Sequence, residues 1–132
     1  MSDEDIRHFI AGHMDAARFH HAEHVRLAYE MLRRDGFMRT LPLYAGGLRR
    51  MAERAGRPQA YHETITTAFL SLIGERILLG KSPTFDDFAA SNSDLLDKSC
   101  LLSVYDAGRL DDALARQTFL LPQPRSSTSR AP

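Results

Sequence analysis

Charge of one sign, cysteine and long apolar runs are all scarce in this 132-residue chain, and each scarcity removes a class of function. Seventeen basic and seventeen acidic residues cancel, so the chain lacks the basic excess on which nucleic-acid or anionic-membrane binding draws. No local patch replaces it, because Arg33–Arg34 and Arg49–Arg50 are interleaved with Glu30, Asp35 and Glu53. Cys100 is the single cysteine, which excludes an intrachain disulfide and a thiolate zinc cage. Its surroundings, Lys98-Ser99-Cys100-Leu101-Leu102, read as an apolar turn holding an inert thiol. No apolar run approaches the ~20 residues that span a bilayer. The acidic start, Met1 to Asp5, has no apolar stretch of the signal-peptide kind. The expectation is a cytoplasmic protein that works without nucleic acid or membrane.

What is present is helical pattern. The 43% apolar content supplies a core, and the length fits one domain, expected over 1–121 with a disordered tail over 122–132. No stretch sustains a period of two, so the fold class is all-α, a single bundle of about five to six helices. Residues 3–14 place Ile6, Phe9, Ile10, His13 and Met14 on one stripe. Residues 21–34 do the same with Val25, Ala28, Tyr29 and Leu32, and Asp35-Gly36 ends that helix. Thr40-Leu41-Pro42 starts a third helix, with Pro42 at its first position and Gly46-Gly47 permitting close backbone approach. A fourth runs from Pro58 to about Leu79 and is apolar enough to be the central, most buried helix. Short helices follow at 85–90 and 111–118, with no element assigned over 94–106.

Histidine carries the chemistry. Four of six histidines fall at positions 13, 20, 21 and 24. At about 100° per residue, His21 shares the inward line of Val25 and Ala28, with His24 about 60° away on the same helix. The second group is Tyr61-His62-Glu63-Thr64-Ile65-Thr66, at the start of the fourth helix as drawn from periodicity. If the two helix starts are neighbours, His21, His24 and His62 converge as metal ligands, and one cation satisfies three buried imidazoles at once. Nitrogen ligands suit iron, copper or zinc rather than calcium or magnesium. Glu63 is then a fourth ligand or a base, or merely a favourable charge at a helix N-terminus. Tyr61 joins Glu63 as a catalytic candidate, and Thr66 and Arg76 are candidates for substrate contact. Each has a bland reading too: Tyr61 and Tyr105 as core aromatics, Arg76 as an internal ion pair, His13 as a hydrogen-bonded core residue.

On the blocks Phe19-His20-His21-Ala22-Glu23-His24-Val25-Arg26-Leu27-Ala28 and Tyr61-His62-Glu63-Thr64-Ile65-Thr66, the chain resembles a family of small, poorly characterised bacterial helical proteins. That family carries a Phe-x-His-x-x-His block and a Tyr-His-Glu-Thr block, and the resemblance extends over residues 4–121. It marks His21, His24, His62 and Glu63 as the positions to watch. The three-histidine bundles of the bacillithiol-transferase and DinB type fit less well: His20 and His24 have the spacing, but no third partner matches. Glu-x-x-His pairs of di-iron bundles are absent, and Thr66 breaks the His-Glu-x-x-His pattern of zincin proteases.

Two functions follow. The first is a metal-dependent enzyme acting on a small organic molecule, with non-haem iron or copper redox chemistry placed ahead of zinc hydrolysis. The alternative is a non-catalytic helical binding or interaction protein with a buried histidine network, in a homodimer packed helix on helix.

Overall fold

Ser2 opens α1 (Asp3–Ile10) with a reciprocal cap: its hydroxyl accepts the Asp5 N–H at 3.1 Å, and the Asp5 carboxylate accepts the Ser2 N–H at 3.0 Å. The computed structural model describes residues 1–123, so the disorder expected at 122–132 falls, from 124 onward, outside the described residues. The first helix stops short of the expected residue 14. Gly12 takes a φ of 81°, and His13 stands exposed in the following loop instead of on the inward stripe.

The second helix, α2 (His21–Asp35), begins where expected. Its start is held by the Glu23 carboxylate, which accepts the His20 N–H at 3.0 Å. The helix ends on Gly36, whose φ of 79° and ψ of 174° belong to a region only glycine enters cheaply. One residue therefore turns the chain, and α3 (Phe37–Arg54) starts five residues ahead of Pro42. The expected proline start is corrected accordingly: Pro42 sits inside the helix, on its exposed side, where the missing N–H leaves one carbonyl to water.

The fourth expected helix is also shorter. Pro58–Ala60 forms a 3-10 turn, the chain extends at Tyr61 and His62, and α4 (Glu63–Leu79) follows with His62 as its cap. Phe69, Leu70 and Ile73 enter the core, but Ile65 in the first turn is 37% exposed and Leu78 in the last is 87% exposed, so both ends of α4 depart from the expectation of the most buried helix. Beyond it come α5 (Phe85–Ser91), 3-10 turns at Ser93–Leu96 and Lys98–Ser103, then α6 (Ala107–Asp111) and α7 (Ala113–Gln117). The fold is all-α, as the periodicity predicts, with no strand among the described residues. No helix among them is long and apolar enough to cross a membrane.

Helices α2, α3 and α4 pack against one another, α1 lies on α3, α5 and the Ser93–Leu96 turn cover α2, and α7 closes over α4. Sandwiched in this way, α2 buries Leu27 and Met31 in addition to the expected Val25, Ala28, Tyr29 and Leu32. Buried Thr40 binds α3 to α2 by donating to the Met31 carbonyl at 3.1 Å. The close approach expected at Gly46-Gly47 is made within the chain. A β-carbon on Gly47 would stand 2.6 Å from the Phe9 ring and 2.8 Å from the Phe9 carbonyl oxygen.

Gly47→Ala is therefore expected to destabilise the fold despite its better helix propensity, because the Phe9 carbonyl is backbone and cannot step aside. The loss should be about 1–3 kcal/mol in urea unfolding. Gly36→Ala should lose stability without any clash, since nothing lies near its missing β-carbon and only the backbone angle is at stake.

Candidate functional site

Cap and tether are combined in His62. Its Nδ1 accepts the Ile65 N–H at 3.1 Å, closing the first turn of α4, and its Nε2 lies 2.8 Å from the Leu110 carbonyl oxygen. A carbonyl only accepts, so Nε2 carries the proton and Nδ1 does not; both nitrogens are in use. The ring is buried. His21, the first residue of α2, shares the tether but not the cap, with Nε2 2.9 Å from the Leu95 carbonyl oxygen and its ring edge-on to Phe69.

His24 differs. Its ring lies 4.5 Å from that of Phe19 and 6.4 Å from that of His21, centroid to centroid. Burial, with repulsion from His21 as the lesser cause, pushes its pKa down to about 4. At neutral pH it is an uncharged imidazole.

Tyr61 and Glu63 are joined to each other. The Tyr61 hydroxyl donates to Glu63 Oε1 at 2.8 Å, and Arg49 reaches the same oxygen at 3.3 Å with its guanidinium 4.7 Å from the Tyr61 ring centroid. Burial and the Glu63 carboxylate push the phenol up to about 12, so it stays protonated.

A cleft of about 330 Å³ opens between the starts of α2 and α4 and the end of α3. His24, Tyr61, His62 and Thr66 line it, with Phe19, Met51 and Ile65 as apolar wall and Arg116 among the lining side chains. Four of the seven sequence-derived site residues are thus brought to one place. His21 is near His24 but does not line the cleft, and Glu63 is turned to Tyr61 and Arg49. Arg76 lies further along α4, where Asp94 accepts from both its terminal nitrogens at 3.0 and 2.7 Å and Asn92 accepts at 2.9 Å. Its guanidinium fills the internal-ion-pair role, and no substrate carboxylate is needed to satisfy it. Tyr105 is likewise a core aromatic, its hydroxyl donating to the Leu120 carbonyl at 2.8 Å.

The donor set does not fit a three-histidine metal centre as arranged. For His62 to bind a cation through Nδ1, the first turn of α4 would have to give up its cap. Among the described residues no three histidine, cysteine or carboxylate side chains group to hold a metal ion. Nor does any buried side-chain nitrogen or oxygen lack a partner among them. The partners that the sequence argument assigned to a cation are main-chain carbonyls.

Thr64, which carried no signal beyond its place in the Glu-Thr-Ile-Thr run, has a larger part than expected. Buried completely, it donates to the Thr118 carbonyl at 2.8 Å and accepts the Leu120 N–H at 2.9 Å, holding the segment after α7 against α4. Arg49 and Arg116 were also missed, since neither stands near the histidine blocks in sequence. Compared with known proteins, the chain matches no family model, no curated protein and no solved structure.

Two measurements follow from this geometry. An unfolded chain holds His24 near 6.5 and the folded one near 4, so the unfolded chain takes up the proton first as pH falls. Stability linked to neutral His24 is complete above pH 6.5 and is lost progressively as pH falls through 4, a total of about 3 kcal/mol. Denaturation of the parent and of His24→Gln across that range should show a shallower pH dependence in the variant. Thr64→Val keeps the shape but strands the Leu120 N–H and the Thr118 carbonyl, and should lower unfolding free energy by about 1–3 kcal/mol.

Proposed function

We propose that this protein is a non-catalytic binding protein whose cleft takes a small, mainly apolar organic molecule, with the surrounding histidines holding the fold. The observation that carries the reading is His62: this histidine, one of two that belong to both the cleft and the expected metal cluster, has both nitrogens bonded to the protein's own main chain. Three further features support it. The volume sits at the small end of ligand sites, which span about 300–1,000 Å³. The walls are mostly apolar, with a few polar groups to orient a guest. The two side chains best suited to proton transfer are poorly poised for it near neutrality, His24 being a weak base and Tyr61 a weak acid.

Indole is a suitable probe, since it offers an apolar body and one N–H donor for the neutral His24 imidazole. Titrated into the full chain, it should shift the backbone amide resonances of His24, Tyr61 and Ile65, and Ile65→Trp, which fills the cleft from a half-open position, should abolish those shifts. Metal content measured on chelator-free protein should be substoichiometric and unchanged in His24→Ala. Absence of shifts at the cleft would overturn the binding reading. A stoichiometric transition metal lost in both His24→Ala and His62→Ala would replace it with the metal-dependent enzyme.

A further inference from the structure

Among the described side chains that line the cleft, Arg116 alone carries a formal charge, and no carboxylate is there to answer it. Most of the lining is apolar or neutral: Met51, Ile65, Thr66, Tyr61 and the uncharged His24. Arg116 is nonetheless held in place. Its Nη1 donates to the Gln59 carbonyl at 2.7 Å, tying α7 to the turn ahead of α4. That bond is to a neutral acceptor, and the ion pairs among the described residues engage Arg34, Arg49 and Arg76 instead. A guanidinium has five N–H donors, so one bond to a carbonyl leaves the charge and most of the donor fork for a ligand.

Resting on the cleft reading above, we infer that the ligand is a small monocarboxylate with an apolar body, its carboxylate on Arg116 and its body against Met51 and Ile65. A single exposed cation at the edge of the cleft matches one negative group on a ligand. A dianion would leave one charge facing apolar walls, which is costly. A cationic ligand would meet Arg116 with nothing to offset it. The Gln59 tether adds pre-organisation, since the long side chain is already ordered before a ligand arrives.

The probes are 3-phenylpropionate and its neutral counterpart 3-phenylpropanol, which share the apolar body and differ at the terminal group. Both are titrated by calorimetry and amide-shift mapping into the full chain and into Arg116→Gln, which removes the charge, with alcohol binding reporting whether the cleft is intact in the variant. The acid should bind about three- to tenfold more tightly than the alcohol, and Arg116→Gln should remove that gap while leaving the alcohol unchanged. Equal binding of acid and alcohol at the cleft, or a preference for the acid that survives in Arg116→Gln, would overturn the carboxylate inference and leave the cleft reading standing. No shift at His24, Tyr61 or Ile65 with either probe would overturn both.

Discussion

Two hydrogen bonds on one imidazole, Ile65 N–H to Nδ1 and Nε2–H to the Leu110 carbonyl, set much of the remaining architecture. The first ends the extended stretch at Tyr61 and His62 and starts α4 at Glu63. The second reaches 48 residues along the chain and holds α6 over that start. A helix N-terminus has donors with no partner inside the helix, and a buried end must find acceptors for them. Here a neutral ring supplies the acceptor and uses its own donor to fasten a second segment.

The same economy recurs around that turn. Thr64 both donates to and accepts from the segment after α7, Tyr105 donates to the Leu120 carbonyl, and Arg109 donates to the Leu121 carbonyl. The short helices α6 and α7 have little apolar surface of their own, so polar side chains bonded to main-chain groups carry their attachment. Such bonds are worth about 1 kcal/mol net when made and cost more when one partner is stranded indoors. Held in this way, α7 borders the cleft and brings Arg116 to it.

Electrostatics within the cleft follow from burial and from pairing. His24 is kept neutral chiefly by desolvation, and Glu63 is offset by Arg49 and bonded to Tyr61. What remains is one cation, an uncharged imidazole and hydroxyl groups in apolar surroundings. That combination suits recognition better than bond-making, which needs groups that exchange protons near the working pH.

Local pattern in the sequence was enough for the all-α class, the span of α2 and the turn at Gly36, because helical period and glycine conformation act over a few residues. It placed Pro42 and the start of α4 wrongly for the opposite reason. A single glycine made the linker before α3 unnecessary, and an imidazole cap drew its second partner from Leu110. Likewise, the count of inward histidines pointed to a shared cation, since nothing local reveals that carbonyls of Leu95 and Leu110 lie within reach. The sequence by itself determined the all-α class and most, though not all, of the side chains that face inward. Tertiary structure alone decided what they meet there, because those partners come from segments distant in the chain and are positioned only when the helices pack.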